Sequence, residues 1–389
     1  MLDFLAEHKW TILFYAAVFL FVYINRSKFE RQLKVIFIYR TKWGLPLMDS
    51  LAAKHGELIK ILGYIGIGVG FVGMAVITFF LFKGAYDIFF VPNAPPTVSP
   101  VIPGVRVPGG LYIPFVQGII SIFIVAVVHE FFHGVVARSH NIPIKSSGPA
   151  LIGPFFAAFV EPDEKRLEHQ SDVAQYSVFA AGPFANVLLA VFVALILALV
   201  FSPVIGAIYH PEGISFDSLQ PGYPAESSGM KPDEVYTMLD NYSLKTANDL
   251  AAALDSVKPN QTVMLASASS SYNMVATSHP QNSSKAYLGV IGLHTRFNND
   301  TSSLFKSLQW LNGLFVWIFI LSIGIGLANL MPIGPLDGGR MLKLAAEKIK
   351  GKEKGYRLWV NASIFFVFLI LFLMTPIFIA TLKAITGVS

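Results

Sequence analysis

In VVHEFFHGVV, residues 127–136, two imidazoles and a carboxylate stand among residues that are almost all apolar. His129 and His133 are four apart, so on a helix they share a face and can converge on one tetrahedral metal ion. Glu130 falls about 100° round the same helix, within reach of a water held by such an ion. The plainer alternative is a pair of core histidines hydrogen-bonded to neighbouring helices. Cost argues against it, because an ionisable group at membrane depth costs about 2.5–3.5 kcal/mol by insertion scales and is rarely kept without a function. The chain contains no cysteine, so any metal must be held by His, Asp or Glu.

A catalytic site of this type needs a third protein ligand and one open position. The other acid at membrane depth is Asp337, in NLMPIGPLDGGR at 329–340, at the end of a long apolar run. Taken alone, Asp337-Gly338-Gly339 could be a turn that closes a helix. The wider segment is more unusual, since Pro332, Gly334, Pro335, Gly338 and Gly339 must break the helix at membrane depth. Broken backbone survives there only where it is buried in protein or lines a wet cavity. Asn329, one turn before the break, could hydrogen-bond a substrate backbone or a developing oxyanion.

These groups need a membrane scaffold, and the composition supplies one. Hydrophobic residues make up 54% of the 389 and charged residues 14%, against about 25% charged in an ordinary soluble domain. Runs of about 20 apolar residues predict six spans, at 10–25, 61–82, 111–137, 178–201, 308–331 and 358–382. Basic residues cluster at 26–60 and 340–357, together with Arg138, Lys145, Lys165 and Arg166. The excess of basic residues in cytoplasmic loops therefore puts both termini outside the cell and the active site toward the cytoplasmic leaflet. The formal charge of +5 is read as anchoring this topology, and no nucleic-acid partner is expected. Possible N-glycan acceptors at Asn241, Asn260, Asn282 and Asn299 fall in the one large exterior segment. In the second span, Gly66 and Gly70 are spaced as in helices that pack backbone to backbone, with lateral gating as the other reading.

The chain resembles the site-2 protease family, zinc metalloproteases that cut transmembrane helices within the bilayer. HEFFH at 129–133, GPFAN at 182–186 and NLMPIGPLDGG at 329–339 match its three motif elements in order. The resemblance implies one zinc ion on His129, His133 and Asp337, Glu130 as general base and acid, and Asn186 and Asn329 beside the substrate. It also implies a membrane-dipping hairpin at 141–163, whose edge could pair with an unwound substrate by strand addition. That apolar run is too short to cross, and a covered cytoplasmic loop is the alternative.

The expected organisation is a multi-pass α-helical membrane protein with a small extracytoplasmic α+β domain. Residues 1–100 hold two spans and a basic loop, 101–204 the first part of the protease core, 205–297 the exterior domain and 298–389 the remainder. The exterior segment reads as a short helix, the strand VYTML, a turn and a helix starting near Thr246 or Asn248. The strand candidates TVMLAS and AYLGVIGL follow. It resembles a PDZ domain, which implies binding of a peptide or chain end. The expected substrate is a transmembrane protein in the lipid bilayer. One rival is a membrane-anchored protease on which Glu164 or Glu168 is the third ligand, acting on soluble chains. A transporter is the other, but no internal repeat supports it.

Overall fold

The computed structural model describes residues 9–32, 36–91, 96–105, 111–152, 155–232, 234–280, 282–298 and 302–386. Of the features expected above, residues 153–154 of the 141–163 hairpin, the Asn299 acceptor triplet and residues 33–35 of the basic segment lie outside these residues. The chain forms two compact units, residues 1–197 with 312–389 and residues 198–311.

Five helices among the described residues are long and apolar enough to cross a membrane: 45–90, 115–139, 172–208, 303–329 and 352–382. The chain is a multi-pass membrane protein. The first expected span is a shorter helix, α1 (Lys9–Ile24), of 16 residues, below the usual crossing length of about 20. The second lies within a longer element, α2 (Leu45–Phe90), whose helix is kinked at His55.

In the first unit, α3 (Phe115–Ser139) and α5 (Asp172–Ile196) lie at the centre. One cluster packs α2 onto both, through Leu45, Met48, Val135, Val136, Val178 and Ala181. Another joins α3 and α5 to α9 (Ser303–Asn329), through Val125, Val193, Ile318 and Leu321. Glycines let α2 approach closely. A Cβ at Gly66 would stand 3.2 Å from Phe184, and one at Gly70 would stand 2.9 Å from Met341 and 3.2 Å from Ala180. The glycine spacing therefore serves packing, and Gly63, against Ser177, extends the same stripe.

Residues 144–162 form an antiparallel hairpin of β3 (Ile144–Ile152) and β4 (Phe155–Pro162), with Ser147 opposite Val160 and Ala150 opposite Ala157. It is extended, as nothing in the residue pattern indicated, by β1 (Glu30–Gln32) and β2 (Ile36–Ile38), in the order β1-β2-β3-β4. Arg40 holds this sheet together, bonding Glu30, Ser146 and Glu161 from three of the strands. Beyond β2, the chain continues along β3, with Thr41 N–H donating to Ser147 O at 2.8 Å. β3 is thus paired on both sides, and β4 has no strand partner beyond β3 among the described residues. A short helix, α4 (Glu164–Glu168), leads from β4 into α5.

A π-helical turn at Leu197–Phe201 leads into α6 (Ser202–Ile208) and the second unit. Its main sheet runs β12-β5-β6-β8-β9, with β7 (Tyr242–Ser243) paired to β6. The strands are β5 (Pro211–Leu219), β6 (Tyr236–Leu239), β8 (Thr262–Ser267), β9 (Ser271–Val275) and β12 (Val290–Phe297). After the short α7 (Pro224–Ser227), α8 (Ala247–Asp255) begins at Thr246, which forms a capping box with Asp249. β10 (Thr277–His279) and β11 (Asn282–Tyr287) make a separate hairpin. The expected strand AYLGVIGL is divided, because Gly289 adopts φ 85°, a left-handed conformation that ends β11 before β12 begins. Glu234 is anchored by hydroxyls of Ser267 and Tyr272, which hold its carboxyl down at about 2.

Candidate metal centre

α3 carries His129 and His133 on the face turned to α5, where both are buried. His133 Nδ1–H donates to the Val178 carbonyl at 2.7 Å. A carbonyl can only accept, so Nδ1 carries the proton and Nε2 presents a free lone pair. Asn186, fully buried on α5, plays a similar part for His129. Its Nδ2 lies 3.1 Å from His129 Nδ1, and its Oδ1 is buried without a partner. Rotating the amide by 180° exchanges the two atoms. Oδ1 then accepts from His129 Nδ1–H, the orphaned acceptor is satisfied, and the second Nε2 is free.

Asp337 lies 208 residues from His129 in the sequence. It opens α10 (Asp337–Lys350), after a break in which residues 330–336 turn back on the helix start. Gly338 and Gly339 are needed for that turn: a Cβ at either would stand 2.1 or 2.0 Å from the Leu330 or Ile333 carbonyl oxygen. The turn brings Asp337 Oδ2 within 3.1 Å of His129 Nε2 and 3.4 Å of His133 Nε2. The two Nε2 atoms are 3.2 Å apart.

The donor set fits a zinc ion. Tetrahedral zinc with ligands at about 2.0–2.1 Å separates its donors by about 3.3–3.4 Å, and all three separations are close to that edge. The space is also cleared. A Cβ on Gly182 of α5 would stand 2.3 Å from His133 Nε2 and 2.4 Å from His129 Nε2, so only glycine leaves the convergence point open. The sequence marked Gly182 as part of GPFAN but assigned it no task, and only the interhelical distance shows one.

Glu130 lies beside this cluster, its carboxylate grouped with both imidazoles. Its Oε2 accepts the Val160 N–H of β4 at 3.0 Å. Asn329, at the end of α9, donates from Nδ2 to the Ile325 carbonyl of its own helix at 3.1 Å. Of the rival third ligands, Glu164 ion-pairs with Arg340 at 3.1 Å, and Glu168 is exposed.

A His-Glu-x-x-His pair on a helix apolar enough to cross a membrane, with a third donor brought onto its imidazoles, is the pattern of a membrane metalloprotease. Residues 117–373 match peptidase family M50, and the chain belongs to that family, the site-2 proteases. It is accordingly a zinc metalloprotease. An uncharacterized protein of Methanocaldococcus jannaschii is 25% identical over 322 residues, 82% of this chain and 80% of its own length. The zinc metalloprotease RasP of Oceanobacillus iheyensis is 24% identical over 242 residues, 50% of this chain and 56% of its own length.

Proposed function

We propose that this protein cleaves transmembrane segments of single-span membrane proteins at one zinc ion held by His129, His133 and Asp337. The convergence of those three donors with Glu130 beside them carries the reading. Zinc bound there supplies Lewis acidity, polarising a carbonyl and bringing a water's pKa to about 7. Glu130 takes a proton from the attacking water and passes it to the leaving amine. His133 is fixed by Val178, and Asn186 fixes His129. In this reading Asn186, fully buried against His129, is a positioning residue as well as the neighbour of the substrate expected from the sequence. Asn329 is left to meet the substrate backbone.

A helical peptide bond is shielded, so the substrate must unwind near the site. The edge of β4, which has no strand partner beyond β3 among the described residues, offers replacement hydrogen bonds. Val160 N–H points out of that edge toward Glu130, and by the pleat Ala158 N–H points the same way. Residues 205–297 are read as a PDZ-like domain that binds a chain end between α8 and the open side of β12. In support, Ala247 N–H at the start of α8 donates to Thr295 of β12 at 3.0 Å. The basic segments at 26–60 and 340–357 face the cytoplasm in this reading, with the PDZ-like domain and both termini outside, which requires the 16-residue α1 to cross as well.

Purified protein in liposomes should cut a single-span substrate within its apolar stretch, stop when zinc is chelated and resume when zinc is returned. Zinc-independent cleavage, or cleavage of soluble chains alone, would refute the proposal. The absence of native cysteine makes orientation simple to test. A cysteine replacing Lys354 should react with an impermeant reagent only from the cytoplasmic side, and one replacing Lys258 only from outside. The opposite pattern would reverse the topology.

A further inference from the structure

A cavity of about 390 Å³ lies on the Glu130 side of α3, between that helix and the β3–β4 hairpin. Phe123, Ala126, Val127 and Glu130 line it from α3, and their spacing puts them on one helix face. Ala158 and its neighbours line it from β4, with Trp43 and Met48 on a third side. Among the described residues, Glu130 is the only ionisable one in the lining. The cavity is therefore an apolar chamber with the proposed proton carrier in its wall.

Its depth depends on small side chains. Val160 faces α3, since a Cβ on Gly134 would stand 3.2 Å from Val160 Cγ1. Ala158, two residues earlier, faces the same way by the alternation of a strand. From α3, Ala126 lines the same cavity. Two alanines thus stand where larger residues would fill the chamber. The volume is within the range of ligand sites, about 300–1,000 Å³.

Both strands of the hairpin line the cavity, Ser147–Pro149 from β3 and Ala157–Val160 from β4, so it lies under the face of the hairpin that α3 covers, and β4 has an edge with no strand partner among the described residues. A chain paired to that edge projects alternate side chains to opposite faces, and those on the α3 side enter the chamber beside Glu130. We propose that the cavity receives a bulky apolar side chain of the substrate, of leucine or phenylalanine size, next to the scissile bond, and that Ala126 and Ala158 set the size accepted. The inference rests on the proposed cleavage of transmembrane segments. It narrows the substrate class to segments that place a large apolar residue at one defined position, which small or polar residues would leave unfilled.

The test uses the full chain in liposomes and a single-span substrate whose residues flanking the cleavage point are changed one at a time to Ala, Leu or Phe. At one position the wild-type protein should favour Leu or Phe over Ala by about tenfold or more in kcat/KM, the scale on which apolar pockets discriminate. Ala158→Leu, and separately the milder Ala126→Val, should shrink or invert that ratio. Cleavage by the wild type with no side-chain preference at any flanking position would overturn the pocket while leaving the protease reading intact. So would an unchanged ratio in both folded variants. Failure of the wild type to cut any single-span substrate would overturn the protease reading, and the pocket with it. Should neither variant fold, the wild-type series decides alone.

Discussion

Glu130→Gln is expected to retain its zinc and lose cleavage of a single-span substrate by about 10²–10⁴-fold, the usual contribution of general acid–base catalysis. The separation of the two effects follows from position. The three donors that match a zinc coordination edge are His129, His133 and Asp337, and Glu130 is not required to complete them. A glutamine keeps the shape of the side chain and an oxygen to accept the Val160 N–H, so α3 and the hairpin should hold their places. It cannot take up a proton and hand it on. Zinc content by elemental analysis and cleavage by gel assay read the two effects separately. Cleavage at the normal rate would remove Glu130 from the chemistry, and loss of zinc together with activity would make it a ligand.

Gly182→Ala should be as damaging to activity as the loss of a ligand, through the metal rather than the proton. The added methyl would lie 2.3–2.4 Å from both Nε2 atoms, closer than carbon and nitrogen approach without a bond, at the point where their lone pairs meet. Alanine is a better helix former than glycine by about 0.8–1.0 kcal/mol, so α5 itself should persist. The expected result is a folded protein with little zinc and no measurable cleavage. Asn186→Ala provides a graded comparison. Loss of a group that orients a metal-bound histidine typically weakens metal affinity by about 10–100-fold, so its zinc should be recoverable at higher concentration. Full zinc occupancy and full activity in Gly182→Ala would show that the donors do not meet where the structure places them.

The chemistry was legible wherever rare residue types stood in an apolar setting. His129, Glu130 and His133 identified themselves by helical spacing, and the prolines and glycines after Asn329 announced a broken helix. That Asp337 joins the imidazoles across 208 residues of sequence is a tertiary fact that spacing could not supply, and the family resemblance did. Other features were hidden because local sequence carries no trace of them. β1 and β2 are three residues each, too short for an alternating pattern to stand out, and their basic surroundings read as a topology signal. AYLGVIGL looks continuous because apolar character does not reveal the left-handed turn at Gly289. The task of Gly182 depends on how closely α5 approaches α3.

The length of α2 has a consequence for the whole molecule. Its 46 residues have a contour of about 69 Å at 1.5 Å per residue, measured through the kink at His55, against roughly 30 Å of hydrocarbon in a bilayer. A good part of it must therefore project beyond the lipid tails or lean steeply within them. Its first turns, before the joint at His55, carry Met48 into the wall of the apolar chamber, while its later turns lie among the membrane helices. One continuous element thus runs from the wall of the chamber beside Glu130 into the set of membrane-crossing helices, so the catalytic surroundings and the lipid-facing bundle share a helix.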